Sequence, residues 1–373
     1  MVDRIRRDPA SRRSLRYAVD GIRINAEPGH KQSTIVSCAC RAQSPLYNQI
    51  VPRTVLVTGA AGYVGSVLVD ELLARGHRVR ALDALLHGSV SSLLVAWGHE
   101  GFEFMRGDIR DAASRAPALE GVDTVIHLAA IVGDPACART PAFAREVNLD
   151  ATRMLLAEAA DAGVERFLFA STCSNYGKSS SAAHATEEFE LRPISLYAET
   201  KVAAESDVLA AARDGFATCC LRFATIYGTS PRMRFDLTVN EFTRDLLLTG
   251  DLVVYGEQFW RPYIHVRDAA RAAAAALEAP MDTIAGEVFN VGDTRENYRK
   301  LDIVELLRER IPSGQIQFVH KAEDPRDYRV GFEKIKRELG FEARATVPDG
   351  IDEIIALLRS GLLDDPHAGI YRN

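Results

Sequence analysis

From Thr54 onward the chain alternates between short apolar runs and longer amphipathic stretches. TVLVTG, beginning at Thr54, is apolar and closes on Gly59, the pattern of a strand buried on both faces. AAGYVGSVLVDELLARG follows with helical spacing and stops at Gly76. HRVRALD, FEFMRGD, TVIHLAA, RFLFAS, ATCCLRF and EVFNVGD repeat the strand pattern, and helical stretches such as REVNLDATRMLLAEAADAG and YAETKVAAESDVLAAARDG separate most of them. Alternating strands and helices over this length predict an α/β fold, a doubly wound parallel sheet of the Rossmann type. Beyond about residue 225 the pattern loosens. The expected organisation is a dinucleotide-binding domain over 53–224, rejoined by 263–293, and a smaller C-terminal substrate-binding lobe built from 225–262 and 294–373.

Residues 1–52 lack this periodicity and carry nine Lys/Arg against four acids, a local charge of +5 in a chain of net −6. They are expected to form a basic, loosely ordered extension. A transit peptide and a start codon assigned too early are alternative explanations, and the four acids weigh against the first. Overall the 373 residues are 47% hydrophobic and 26% charged, ordinary for a globular protein. The acidic balance gives no reason to expect nucleic acid or an anionic membrane as partner. No apolar run approaches the roughly 18 residues of a membrane span. The six cysteines (Cys38, Cys40, Cys137, Cys173, Cys219 and Cys220) have no zinc-site spacing, so no metal is expected. They read as reduced thiols of a cytoplasmic protein.

The first strand–helix junction, Thr58-Gly59-Ala60-Ala61-Gly62-Tyr63-Val64-Gly65, carries the first candidate chemistry. Glycines there allow a tight turn and close approach to a pyrophosphate, while the helix N-terminus offers N–H groups and a positive dipole end. Asp83 ends the second strand, 24 residues after Gly59, where a carboxylate accepts hydrogen bonds from a ribose and repels a 2′-phosphate. This favours NAD over NADP.

Tyr197 and Lys201 open a helix at i, i+4 spacing, on one face. An ammonium there is expected to lower the phenol's pKa, so that the pair can move a hydroxyl proton while hydride passes to a nicotinamide. Some twenty-five residues earlier, Ser171-Thr172-Cys173-Ser174-Asn175-Tyr176-Gly177 stands at the carboxyl end of a strand, where open α/β sheets bind ligands. His127 and His265 are read as framework residues, Asp268 as a helix N-cap, and Tyr176 as packing beneath the site.

Together, TGAAGYVG at 58–65, HLAA at 127–130, STCSNYG at 171–177 and YAETK at 197–201 resemble the extended short-chain dehydrogenases. RPYIHVRDAA at 261–270 is similar to their nucleotide-sugar epimerase and dehydratase branch, and the match runs from about residue 54 to 360. The resemblance implies a catalytic set of Tyr197, Lys201 and Thr172, with Tyr197 as acid/base, Lys201 also on the nicotinamide ribose, and Thr172 on the reacting sugar hydroxyl. It implies that the cofactor meets Gly59, Gly62, Tyr63, Val64, Gly65 and Asp83, that Asp108 and Ile109 lie beside the adenine, and that Leu128, Ala129 and Ala130 line the cofactor. It places Asn240, Arg261 and Arg326 on the nucleotide diphosphate, and a homodimer on the helices around 145–163 and 197–215.

Family members that dehydrate at C5 and C6 resemble Thr-Asp-Glu at positions 172–174, whereas this chain has Cys173 and Ser174. Members that epimerise at C3 and C5 carry a cysteine two residues before the tyrosine matching Tyr176, and here that place is Ser174. The remaining expectation is NAD-dependent chemistry at a sugar carbon, C4, of a nucleotide-diphosphate sugar, by an epimerase. A 4-dehydrogenase or 4-keto-sugar reductase is the alternative. The segment SPRMRFDLTVNEFTRDLLLTG resembles a subgroup with both activities, and Thr225 stands where many epimerases have Asn. A non-catalytic dinucleotide binder and a reductase of a non-sugar substrate stay open as well.

Overall fold

The computed structural model describes residues 51–88, 90–178, 184–321 and 327–373, which belong to one compact unit. Cys38, Cys40, Arg326 and all but the last two residues of the 1–52 segment lie outside the described residues.

Along the chain come β1 (Thr54–Thr58), α1 (Tyr63–Ala74), β2 (Arg78–Asp83), β3 (Phe102–Arg106), α2 (Ala112–Leu119), β4 (Thr124–His127), α3 (Asp134–Arg139), α4 (Pro141–Arg145) and α5 (Ala151–Asp161). Then follow β5 (Arg166–Thr172), α6 (Leu196–Ala210), β6 (Ala217–Phe223), β7 (Thr225–Tyr227), α7 (Thr238–Thr249), β8 (Asp251–Tyr255), β9 (Trp260–His265) and α8 (Val266–Glu278). The last elements are α9 (Met281–Ile284), β10 (Glu287–Val291), β11 (Asn297–Arg299), α10 (Lys300–Arg310), β12 (Gln315–Val319), α11 (Glu333–Leu339) and α12 (Val347–Arg359).

All seven apolar runs picked out in the sequence enter one sheet, ordered β10-β6-β5-β4-β1-β2-β3, and every pairing in it is parallel. The fold is thus a Rossmann-type α/β fold. The central strands are buried along most of their length because helices cover both faces, which is why their sequences lack a polar alternation. At the edge, β3 (FEFMR) is only partly covered, and it alternates. Strand order reverses between β1 and β4, opening a crevice at the carboxyl ends of the strands.

The remaining strands form a three-stranded sheet, β11-β9-β7, and a parallel pair, β12-β8. A separate apolar cluster, including Tyr227, Phe235, Val239, Ile303, Leu307, Ile351 and Ile354, packs α7, α10 and α12 together. The stretch REVNLDATRMLLAEAADAG is not one regular helix: α4 and α5 are joined by a π-helical turn over Glu146–Asp150. Such turns recur at functional sites because the extra residue re-aims a side chain. Among the described residues no helix is long and apolar enough to cross a membrane.

Candidate active site

The loop between β1 and α1 is shaped for close approach. Gly59 has φ +70°, and a Cβ there would sit 2.8 Å from the Ala129 backbone nitrogen. A Cβ on Gly65 would meet the Gly59 carbonyl at 2.1 Å, so both positions require glycine. Gly62 caps α1 without a side-chain hydrogen bond, and the first turn contains no acid. The helix therefore presents an uncompensated positive end. Asp83 stands across from it. One carboxylate oxygen accepts from Ala61 N at 2.9 Å and the other from Leu85 N at 2.7 Å. Burial pushes this carboxyl's pKa up, and the two N–H donors and Arg232 oppose that. A carboxylate offers about four acceptor positions, so both oxygens keep capacity for ribose hydroxyls.

These residues line a cavity of about 670 Å³ at the carboxyl end of the sheet. Asp108, Ile109, Leu128, Ala129, Ala130, Thr172, Tyr197, Lys201 and Arg261 line it too. Ile109 is nearly fully buried, while Asp108 is tied to Arg110 at 2.9 Å.

Tyr197 and Lys201 rise from the first turns of α6, whose N-cap Ser195 accepts from Ala198 N and donates to Asp134 at 2.7 Å. The Lys201 ammonium donates to the Ala170 carbonyl at 2.8 Å and lies 4.5 Å from the centre of the Phe169 ring. Burial lowers its pKa to about 8. The Thr172 hydroxyl stands near the Tyr197 phenol and helps to hold its pKa down. Burial of the Tyr197 phenol raises its pKa, as do the nearby Cys137 and Asp134, and Arg234 and Thr172 oppose them.

Two residues sit otherwise than the sequence implied. Asn240 is fully buried and does not line the cavity. Its amide donates to Arg234 O at 2.8 Å, Tyr63 Oη at 3.2 Å and Gly228 O at 3.3 Å, and its carbonyl accepts from Gly228 N at 3.0 Å. Those bonds use up the amide, so it orders the 228–234 segment. The N-cap of α8 is His265, which accepts from Arg267 N at 3.2 Å. Asp268 instead takes the Arg344 and Ala345 N–H groups, each at 2.8 Å, one turn further on. Arg326 lies outside the described residues.

His127 is buried between Thr58 (2.6 Å) and Thr152 (2.9 Å), with its pKa lowered to about 3 by burial and by Lys201, so it is a neutral framework residue. Tyr176 is likewise buried, donating to Asn290 at 2.6 Å. The Cys173 thiol points away from the cavity, onto the Arg222 carbonyl at 3.1 Å, and burial pushes its pKa up. Ser174 lines the cavity and lies 3.4 Å from the Tyr328 hydroxyl.

The sequence reading missed several participants. Arg232 and Arg234 also line the cavity, as do Asp134, Arg139, Lys300 and Arg372. Asn148, in the π-helical turn, bonds the Ile131 backbone and lies 3.4 Å from Thr200 on α6. For Arg232 and Arg234 the available signal was two arginines in alternation within an otherwise apolar stretch. Asn148 had no such signal, since nothing in VNLDAT announces a π turn.

The family model described as the NAD dependent epimerase/dehydratase family matches residues 55–292. This chain belongs to that family. It is an NAD-dependent enzyme of the extended short-chain dehydrogenase type. A dTDP-glucose 4,6-dehydratase of Actinoplanes is 35% identical over 324 residues, covering 82% of this chain and 98% of the relative. A Bacillus subtilis protein described as an uncharacterized UDP-glucose epimerase is 30% identical, with 82% and 98% coverage. Among solved structures, MoeE5 in complex with UDP-glucuronic acid and NAD superposes with a TM-score of 0.71 at 29% identity, over 83% of this chain and all of that one.

Proposed function

We propose that this enzyme oxidises and re-reduces C4 of a nucleotide-diphosphate sugar, inverting that carbon, with Tyr197 as acid/base. The observation that carries the reading is that Tyr197, Lys201 and Thr172 line one cavity while the two positions after Thr172 bring no carboxyl to it: Cys173 is turned inward and Ser174 faces Tyr328. Bound NAD supplies the hydride acceptor and a positive charge. Tyr197 takes the proton of the sugar hydroxyl as the hydride leaves its carbon, and returns it when hydride comes back to the other face. Thr172 orients that hydroxyl. Lys201, held by Ala170, contributes a donor for the nicotinamide ribose and a charge that favours phenolate once NAD's own charge is present. Gly59, Gly62, Tyr63, Val64, Gly65, Asp83, Asp108, Ile109 and the Leu128–Ala130 segment bind NAD, and Arg261 meets the substrate diphosphate, a role that the sequence resemblance extends to Arg326. Asn240 acts only through the segment it orders.

Residues 225–262 and 294–373 serve as the substrate-binding lobe of this reading, and α5 and α6 as the faces of a homodimer, testable by light scattering. Net dehydrogenation or keto reduction uses half of the same cycle. Elimination across C5 and C6 is the second reading, favoured by the 35% identity to a dTDP-glucose 4,6-dehydratase. It needs an additional acid and base near the leaving hydroxyl, which Ser174 and the inward Cys173 do not provide.

Incubation with UDP-, GDP-, dTDP- and CDP-hexoses, followed by NMR of the sugar and absorbance at about 340 nm for NADH, decides among these. A 4-epimer without NADH accumulation is the expected result. Accumulating NADH indicates the dehydrogenase, and a 4-keto-6-deoxy product overturns the assignment.

A further inference from the structure

Arg232 stands in the chain between β7 and α7, far from the glycine turn in sequence, yet it is fastened beside that turn. Tyr63 Oη donates to Gly228 O at 2.7 Å, and Ser230 Oγ donates to Tyr63 O at 2.7 Å. The Ser66 and Ser230 hydroxyls are 3.1 Å apart, and Arg232 N reaches Ser230 Oγ at 3.3 Å. The first turn of α1 therefore carries the 228–232 segment on its surface, and Arg232 enters the same cavity as Gly59, Gly62 and Asp83.

The charge of Arg232 is poorly answered. The residue is 5% exposed, and its Nε has no hydrogen-bond partner among the described residues. One terminal nitrogen donates to Arg372 O at 2.9 Å. The nearby carboxylates are engaged elsewhere: Asp236 pairs with Arg234 at 2.9 and 2.6 Å, and Asp83 accepts the Ala61 and Leu85 N–H groups. Burial and Arg234 together lower the Arg232 pKa to about 10. Next to this cation lies the positive end of α1, whose cap Gly62 has no side-chain acceptor. A buried guanidinium with an empty donor beside an uncapped helix terminus is costly unless an anion joins them.

We infer that Arg232 is a further cofactor-binding residue, which holds the pyrophosphate of NAD from beside the glycine turn. The inference rests on NAD occupying this cavity. A pyrophosphate is also part of a nucleotide sugar, but the hydrogen bonds to Tyr63 and Ser66 place Arg232 at the dinucleotide's end. The guanidinium would add a charge-assisted fork to the backbone N–H groups of the turn. Because it comes from a segment that also supplies Arg234 to the cavity, it would link cofactor binding to the order of 228–240.

Calorimetric titration of the full-length protein with NAD, ADP, adenosine, UDP and dTDP tests this. Arg232→Gln is expected to weaken NAD and ADP by about 10- to 100-fold, the scale of a hydrogen bond to a charged group, and to leave adenosine, UDP and dTDP unchanged. Arg232→Lys keeps the charge without the fork, and a several-fold loss is expected; it also covers the case in which the glutamine variant does not fold. The dependence of NAD affinity on salt should flatten in the glutamine variant. Unchanged NAD affinity in folded variants overturns the assignment, and so does a loss confined to UDP and dTDP, which would move Arg232 to the substrate. A wild-type protein that binds no NAD overturns the cavity reading and this inference with it.

Discussion

The Asn148 side chain closes a two-bond ring with the backbone of Ile131, accepting from Ile131 N at 2.7 Å and donating to Ile131 O at 3.0 Å. The π-helical turn aims the amide there, and on its other side the same amide lies 3.4 Å from Thr200, one residue before Lys201. Asn148 thus fixes the wall that continues Leu128–Ala130 relative to the helix carrying Tyr197. It is a positioning residue. Asn148→Ala should lower kcat by about 10- to 100-fold, the range for supporting hydrogen bonds around a site. It should also destabilise the fold by about 1–3 kcal/mol, because the Ile131 groups lose their partner. Asn148→Ser, which keeps a polar group, should restore part of kcat while KM for the sugar moves little. Equal kcat in wild type and Asn148→Ala would remove the residue from this role.

Tyr197 and Lys201 should separate in a paired experiment. Tyr197→Phe is expected to reduce turnover by about 10²-fold or more with NAD affinity nearly intact, since only the proton-transfer group is removed. Lys201→Met should also be inactive but more stable than wild type at neutral pH in the absence of NAD. The folded Lys201 pKa is about 8, below its unfolded value, so the native state resists the proton that the unfolded chain takes up. That penalty is fully present below pH 8 and disappears as pH rises toward about 10.4, the ordinary lysine value. The gain on substitution, at most about 3 kcal/mol, should shrink across the same window. A melting-temperature series from pH 7 to about 10 reads it, and a destabilised Lys201→Met protein at pH 7 would count against the buried-charge argument.

Asp83 is expected to set the preference for NAD. Asp83→Ser removes the carboxylate that would accept the ribose hydroxyls and repel a 2′-phosphate, so NAD binding should weaken about tenfold and NADP binding should improve relative to it. Arg232 exerts an attractive influence on Asp83, and without the carboxylate its charge should favour the extra phosphate further. Comparative fluorescence titrations of the two dinucleotides check this, and an unchanged affinity ratio would contradict it.

Glu353 should contribute acid-dependent stability. Burial would raise its pKa, but hydrogen bonds from His265 (2.7 Å) and Thr229 (2.6 Å), with the charges of His265 and Arg267, hold it down to about 2. A depressed carboxyl stabilises the fold above its unfolded pKa of about 4.3, and that stability is lost as pH falls through the folded value. Glu353→Gln should therefore melt lower than wild type at pH 7, with the difference closing between pH about 4.3 and 2. A difference that stays constant over that range would point to packing rather than charge.

The seven strands of the main sheet were legible from residue order because each is an apolar run bounded by helical spacing, and a strand covered on both faces leaves no other pattern to read. The glycine turn and the Tyr197–Lys201 spacing were legible for the same local reason: φ +70° at Gly59 and i, i+4 geometry on α6 are properties of short segments. Charge states and cross-crevice contacts were not. Whether the Tyr197 phenol is raised or lowered depends on how much water the folded cavity excludes, and burial is the largest influence there. Asn240 reads as a phosphate ligand until the fold brings Tyr63 to its amide from 177 positions away and leaves no donor over. The sequence by itself determined the sheet, the glycine turn and the Tyr197–Lys201 spacing, since each is written in neighbouring residues. The tertiary structure alone decided which charges share the crevice, because Arg232, Asp83 and the end of α1 meet only through a crossover that no local pattern encodes.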